Sequence, residues 1–333
     1  MTIRKQMLVS EKTEKLKFTG KKITIIRYEK KYKALWDAFI ANSKNGTFLF
    51  YRDYMEYHSD RYTDFSLMFF DNDRLIAVIP ANIKDGTLFS HAGLTYGGIV
   101  SDQEMKVSLM ITIFDSLKDF LKTQSINKLN YKVVPHIYHT LTAEEDLYAL
   151  FLHNARLVRR DAASTIFMKE RAPYCRGIKR FINQGKRIGL EIKKSDDFSA
   201  FMSIEEEILQ QKYGVRPVHT ADEIQLLAKR FPENIKLFGV YKDNNMISGA
   251  IIYETKNVAH VQYNASNIEG KKLGASFFLY DSLINGGYYG NKRYFDFGIS
   301  TEKNGRYLNV GLTIFKERFG ARTTTYDFYE MDI

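Results

Sequence analysis

The stretch YFDFGISTEKNGRYLNVGLTIFKERFG, residues 294–320, carries the densest structural signal in the chain. An aromatic strand ends in Asp296-Phe297-Gly298, and a polar loop holding Ser300 and Asn304 follows it. Leu308, Leu312, Phe315 and Phe319 then recur at helical spacing, which predicts an amphipathic helix with that stripe buried. At 100° per residue Lys316 falls about 80° from the centre of the stripe, at the edge of the buried face. An ammonium there either aims into a cleft beside the sheet or snorkels to water while its stem covers apolar surface.

Outward from this box, a strand series comes into view. IKLFGVYK, the turn Asp243-Asn244-Asn245, MISGAIIYET and VAHVQYNAS read as a meander, followed by a Gly-containing bend and a helix over about 275 to 286. The first half runs in the same order. SLMFF, the turn Asp71-Asn72-Asp73, LIAVIPANI and LFSHAGLTYGGIV are three strands. A helix should begin at Ser101, whose spacing to Glu104 matches a capping box, with Leu109, Ile113, Leu117 and Phe120 on its buried face.

KLNYKVVP is then a strand stopped by Pro135, and Thr142 with Glu145 marks a capped helix to about Ala155. A strand over 22–29 and a helix through Tyr32, Leu35, Trp36, Phe39 and Ile40 precede all of this. Asp73-Arg74-Leu75-Ile76 aligns with Asn244-Asn245-Met246-Ile247, and Phe114-Asp115-Ser116-Leu117 with Tyr280-Asp281-Ser282-Leu283, at an offset of about 170 residues. The order of elements therefore points to two copies of one α/β (α+β) unit, each a mixed, mainly antiparallel sheet flanked by helices. Between them the reading is helical, over Pro173–Ile188, Ser195–Gln211 and a helix capped by Thr220 and Glu223.

Length and composition agree with this. At about 150 residues per domain, 333 residues suit two domains, and 44% hydrophobic with 26% charged residues is ordinary for a globular protein. The single cysteine, Cys175, excludes an intramolecular disulfide and every multi-cysteine metal site, and fits a reducing compartment. The Lys-rich first thirty residues hold no apolar signal core, and no segment approaches eighteen apolar residues in succession, so a cytoplasmic protein is expected. The excess of 49 basic over 39 acidic residues, a charge of +10, either draws anionic partners such as phosphates, nucleotides, RNA or acidic membrane surfaces, or is scattered solubilising lysine.

Common catalytic motifs are missing. There is no Walker sequence, G-x-S-x-G elbow or H-E-x-x-H, and no G-x-G-x-x-G follows a strand. His136 and His139 lack a third ligand at metal spacing, so no metal is expected. Cys175 has basic neighbours in Arg176 and Lys179, yet reads as an inert thiol on a helix.

The 294–320 box resembles the closing motif of the FemAB-like acyltransferases, which contain two tandem Gcn5-related N-acetyltransferase (GNAT) folds. That group includes the peptidoglycan bridge-forming aminoacyl transferases and relatives presumed to use acyl-CoA. The duplication, the length and the basic helix RGIKRFINQGKRIGLEI, which in the group opens the second domain, are similar as well. The resemblance implies GNAT-like domains at 1–158 and 159–321, with a last strand in 322–333 returning to the first.

In the aminoacyl transferases the Phe-Lys pair, here Phe315-Lys316, lies at the transfer site. Acyl transfer to an amine builds a tetrahedral oxyanion, which Lys316 would stabilise. Asp296 and His260 are candidates to take the amine proton, although Asp296 equally suits a helix cap or a loop tie. Arg52 and Arg216 stand where the family's acceptor-binding basic residues tend to lie. Tyr213 and Tyr263 can stack on a base or sugar, with Ser300 also on the substrate side, and ordinary surface or core placement is the alternative for these residues.

For the donor, acyl-CoA-using GNAT enzymes carry R/Q-x-x-G-x-G/A between a strand and a helix, a backbone cradle for pyrophosphate. Lys271, Gly274, Ala275 and Ser276 occupy that place in a degenerate form, and Gly93 to Gly98 is a structural bend or an acceptor pocket. The expected function is an acyltransferase, moving an acyl group from acyl-CoA as co-substrate to an amine of an amino sugar or a nucleotide- or lipid-linked cell-envelope precursor, without a metal. One alternative is an aminoacyl-tRNA-dependent transferase, favoured by the charge but lacking the long coiled-coil arm of some members. Another is a non-catalytic tandem that binds RNA or an anionic precursor. No membrane span is expected, and peripheral membrane contact stays open.

Overall fold

Alternating apolar residues and tight polar turns build most of this chain into strands, and the computed structural model describes residues 23–333. The first half contains β1 (Ile23–Arg27), α1 (Lys33–Asn42), α2 (Arg52–Met55), β2 (Thr63–Asp64), β3 (Leu67–Asp71), β4 (Arg74–Ile79), β5 (Asn82–Lys84), β6 (Thr87–Phe89), β7 (Val100–Ser101), α3 (Val107–Thr123), β8 (Lys128–Lys132) and α4 (Glu145–Leu152). Next come β9 (Arg156–Phe167), α5 (Ile178–Arg187), β10 (Glu191–Ser195), α6 (Phe198–Tyr213), α7 (Ala221–Arg230), β11 (Ile235–Lys242), β12 (Asn245–Glu254) and β13 (Val258–Ser266). The chain finishes with α8 (Ile268–Leu273), α9 (Ala275–Asn285), β14 (Tyr294–Ile299), the small hairpin β15 (Thr301–Glu302) and β16 (Tyr307–Leu308), α10 (Val310–Glu317) and β17 (Arg322–Asp332).

Two sheets organise these strands. Four strands form β1-β3-β4-β7, and eleven form β10-β11-β12-β13-β14-β9-β17-β8-β6-β5-β2. Parallel pairing occurs at β13/β14 and β6/β8, and the other pairings are antiparallel, so the sheets are mixed and mainly antiparallel. The large sheet crosses the expected domain join without a break. That join, at 158/159, falls inside β9, and β17 lies between β9 and β8.

Each half has its own core, and a third connects them. Ile113, Phe114, Leu117 and Leu121 of α3 pack with Leu67 and Leu129 in the first half, and Leu279, Tyr280 and Leu283 of α9 pack with Phe295 and Phe319 in the second. Between them Trp36, Phe48 and Tyr54 meet Phe201, Leu227 and Tyr253 in one cluster. Buried aromatics of this size contribute about 1.5–3 kcal/mol each through removal from water, which ties the halves together.

Several helix starts differ from those predicted. Ser101 is not an N-cap: it ends β7, its N–H bonded to Asn45 Oδ1 at 3.0 Å, and α3 begins at Val107 with no side-chain cap. Thr142 caps nothing either, because Glu145 opens α4 with its carboxylate 2.6 Å from the Lys44 ammonium. α5 starts at Ile178, well past Pro173, and α6 starts at Phe198 because Asp197, rather than Ser195, accepts from the Ala200 N–H at 2.9 Å.

The capping box of Thr220 and Glu223 is present as its spacing predicts. Within LFSHAGLTYGGIV only Leu88 and Phe89, which end β6, and Val100, which opens β7, lie in strands, since His91 at φ 56° and Gly98 at φ 89° break the extended backbone between them. The strand expected over 22–29 is Ile23–Arg27, residue 22 lying outside the described residues. Among the described residues no helix is long and apolar enough to cross a membrane.

Candidate active site

The parallel strands β13 and β14 pair only over Val258–His260 and Tyr294–Asp296, and then part. Each strand leaves the ladder for a local reason. On β14, Asp296 pairs with Thr165 and Ile299 with Ala163, so β14 carries an extra residue, and Gly298 at φ 71° takes the left-handed turn this bulge needs. On β13, Ile251 and Ile252 pair with Tyr263 and Val261, leaving Gln262 as the bulged residue.

A cavity of about 850 Å³ fills the gap, within the range of small-molecule sites. His260, Tyr263, Phe315 and Lys316 line it, together with residues of the 89–95 loop, Lys132 and Phe328.

At the point of parting, Asp296 is fully buried. Its Oδ2 accepts from the Tyr326 hydroxyl at 2.6 Å, the Tyr138 hydroxyl at 2.9 Å and His260 Nδ1 at 2.8 Å. Its Oδ1 accepts from Thr165 Oγ1 and the Gly298 N–H, both at 3.0 Å. Burial pushes this carboxyl upward, but His260 and the other donors outweigh it and hold Asp296 down at about 2. A carboxylate so saturated is a poor proton acceptor.

Its effect is on His260. With Nδ1 held as the donor to Asp296, Nε2 is the basic nitrogen and has no protein partner among the described hydrogen bonds. A carboxylate that fixes the tautomer of an imidazole in this way makes a positioned general base. Asp296 therefore ties the loop through Gly298 and orients the base, and His260 faces the cavity.

Lys316 is buried on α10, and its Nζ donates to the carbonyls of Gly298 at 2.9 Å and Ile299 at 2.7 Å. An ammonium has three protons, so one remains for the cavity that Lys316 lines. Burial lowers Lys316 to about 8, while the charge of Asp296 opposes the shift. The stripe predicted for α10 holds in part: Phe315 and Phe319 pack at 5.5 Å, but Leu308 lies in β16, exposed.

The remaining predicted residues divide. Tyr263 and Phe315 line the cavity, with the Tyr263 hydroxyl bonded to His219 Nδ1. Ser300 is buried next to the bulge, and its Oγ has no hydrogen-bond partner among the described residues.

Arg52 lies elsewhere, buried in the first half with ion pairs to Asp64 at 2.5 Å and Glu56 at 3.3 Å and its guanidinium 3.7 Å from the Tyr28 ring. Arg216 is exposed at 85% beside Glu206, away from the cavity lining. Tyr213 ends α6, and its side chain is outside the described set.

Lys271, Gly274, Ala275 and Ser276 form the α8–α9 junction and are not part of the cavity wall. A Cβ at Gly274 would stand 2.4 Å from Phe181 Cδ1, so the ring of α5 already covers that turn, and Ser276 Oγ is bonded to Ser266 Oγ at 2.7 Å.

Leu94 and Thr95, from the Gly93–Gly98 bend, do reach the cavity. His139 is buried with Nε2 2.9 Å from the Val134 carbonyl, and no group of three metal-ligating side chains occurs among the described residues. Cys175 is exposed and precedes α5 instead of lying buried on it; its N–H bonds the Arg318 carbonyl at 2.9 Å.

Sequence reasoning missed Tyr138, Tyr326 and Thr165, the partners of Asp296. Tyr326 and Thr165 sit on the neighbouring strands β17 and β9, and Tyr138 in a turn after Pro135. A tyrosine in a strand or turn carries no local mark of this role.

Comparison with known proteins bears on the fold. Residues 169–307 match the family model described as acetyltransferase (GNAT) domain. FemX superposes with a TM-score of 0.64 at 11% identity, covering 91% of this chain and 96% of its own. A conserved protein of unknown function from Bacteroides thetaiotaomicron VPI-5482 gives 0.55 at 11% identity, covering 94% and 100%. The C-terminal domain (DUF2156) of a putative lysylphosphatidylglycerol synthetase from Agrobacterium fabrum gives 0.53 at 12% identity, covering 77% and 80%. No curated protein matches the sequence. At these identities the likeness is one of fold, and with FemX it spans both halves.

Proposed function

From a fold of the GNAT/FemAB-like acyltransferase type, we propose that this protein is an N-acyltransferase, joining the acyl group of an activated ester to a primary amine. The observation that carries the reading is the convergence of the Asp296-oriented His260 and the Lys316 ammonium on one cavity where β13 and β14 part.

In the reaction the amine nitrogen attacks the acyl carbon, and the carbonyl oxygen becomes an oxyanion. His260 Nε2 takes the proton that the nitrogen sheds, a role worth about 10²–10⁴ in rate for a positioned base. The remaining Lys316 proton points to the oxyanion, where removing one preorganised donor costs about 10²–10³. When the tetrahedral intermediate collapses, the bond to the leaving sulfur or oxygen breaks, and His260 returns its proton to that atom. Phe315 and Tyr280 keep the acyl side apolar.

We place acyl-CoA first as donor and an amino sugar or envelope-precursor amine as acceptor, following the resemblance of the 294–320 box to the acyl-CoA-using relatives. A second donor reading, an aminoacyl-tRNA ester, is favoured by the Phe181 ring over Gly274, which covers the turn where a pyrophosphate would sit, and by the +10 charge.

The test is amide formation from purified protein supplied with acetyl-CoA or, separately, with charged tRNA, against amino sugars free and nucleotide-linked, read by mass spectrometry. Amide from either donor, reduced at least a hundredfold by Lys316→Met, is expected. No amide from either donor, with no binding of either, removes the reading. Binding of a donor or acceptor with no amide formed favours the non-catalytic alternative.

A further inference from the structure

Phe328 of β17 pairs on one side with Lys132 of β8 and on the other with Arg159 of β9. Directly opposed residues on antiparallel strands share a face, and all three line the cavity. Both cations lie over the Phe328 ring, Lys132 Nζ at 5.8 Å and Arg159 Cζ at 4.5 Å from its centre. The catalytic end of the cavity is two residues away on the same strand, where Tyr326 bonds Asp296.

The charges on this rung do not balance. Arg159 directs Nε and Nη2 to one oxygen of Asp161, at 2.8 and 2.7 Å, and the other oxygen of Asp161 accepts from Thr301 at 2.7 Å. Lys132 pairs with no carboxylate among the described residues: its Nζ donates to the carbonyls of Ala92 at 2.9 Å and Leu94 at 2.5 Å. Among the described ion pairs, Asp161 is the one acid serving the two cations. One Lys132 proton and the Arg159 Nη1 edge are left over. Burial, and after it the charge of Arg159, lowers Lys132 to about 8, the response of a cation short of an anion.

We propose that Lys132 and Arg159 form an acceptor subsite that binds an anionic group, a carboxylate or a phosphate, about 7 Å from the reacting end at two residues of strand rise. The substrate class is an amine that carries an acid at that separation. The amine rests on the N-acyltransferase reading, whereas the anion rests on the cavity alone. Arg159 supplies an edge for paired oxygens and Lys132 a point charge.

The test separates binding from transfer. Calorimetry on the full chain compares glucosamine 6-phosphate with glucosamine, and 6-aminohexanoate with hexylamine. At least tenfold tighter binding of an anionic member is expected, and the pair that shows it identifies phosphate or carboxylate as the group held. Lys132→Met and Arg159→Gln, checked for folding by circular dichroism, should each erase the preference. If either substitution prevents folding, protection of Lys132 from reductive methylation by the bound anion in the unaltered protein gives the same answer.

Equal affinity for anionic and neutral amines, a preference surviving both substitutions, or methylation of Lys132 under saturating anion each overturns the subsite. An anion preference without amide from any donor defeats the transferase reading and leaves the subsite standing. Amide from neutral amines without an anion preference does the reverse.

Discussion

The hydroxyl of Tyr138, from the first half of the chain, donates to Asp296 of the second half at 2.9 Å. The same hydroxyl lies 3.2 Å from His260 Nδ1 and 2.9 Å from the Tyr326 hydroxyl, so the residue that orients the base is itself oriented from across the molecule. Tyr138→Phe should lower kcat about fivefold with little change in KM, because it loosens His260 and touches no substrate. It should cost about 1 kcal/mol in stability, since Tyr326 and His260 keep Asp296 bonded. Steady-state kinetics with thermal unfolding checks both.

His260→Gln and Lys316→Met should each lower kcat/KM about 10²–10³-fold while the fold persists, as expected for a lost base and a lost oxyanion donor. With Lys316 lowered to about 8 by burial, the ammonium is lost as pH rises through that value. The unaltered enzyme should therefore lose kcat/KM above pH 8, and Lys316→Met should flatten that limb at a reduced level. A limb unchanged in Lys316→Met would separate Lys316 from the alkaline loss.

Stability should respond to pH through the same residues. Asp296 is held at about 2 against 3.8 in the free side chain, so its stabilising effect is full above pH 4 and fades as pH falls through 2. Lys316 and Lys132, lowered to about 8 from 10.5, bind fewer protons folded than unfolded between those values. Their contribution to stability therefore rises with pH across that window. Urea midpoints measured against pH, with Asp296→Asn and Lys316→Met as controls, should show the acid slope shrink in the first, where the salt-bridged Glu223, Glu254 and Glu330 keep the remainder, and the alkaline slope shrink in the second.

Arg52 should behave as a structural residue. Its guanidinium is buried between Asp64, Glu56 and the Tyr28 ring, and Arg52→Ala should cost about 3 kcal/mol by leaving that network incomplete. The folded fraction should keep its kcat, as seen when activity is normalised to folded protein.

The sequence made the second half easy to read because its signals are local. Strand alternation in IKLFGVYK and VAHVQYNAS, the Thr220 box and the helix bearing Phe315-Lys316 each depend on neighbours a few residues away. The partners of Asp296 depend on pairing between β14, β9 and β17, which no short-range pattern encodes. Arg52 cannot be placed from sequence because a buried arginine and a binding arginine look alike until their acids are located. Gly274 looked open for a similar reason, since Phe181, which covers it, lies on a different helix. Lys132 and Arg159 gave no signal at all as ordinary basic residues in strands, and only the shared rung with Phe328 joins them.

The place of β17 between β8 and β9 also sets a clock for synthesis. Strand β17 follows every other strand of the large sheet in chain order, so a ribosome delivers it last. Until residues 322–332 emerge, β8 and β9 lack their shared neighbour, Tyr326 is missing from Asp296, and Phe328 is missing from between Lys132 and Arg159. Such long-range closure is slow relative to local folding, and a nascent chain has neither an oriented His260 nor a finished anion rung. Catalytic competence should therefore appear in one step once residues 322–332 have joined the sheet, with no partly active intermediate before it.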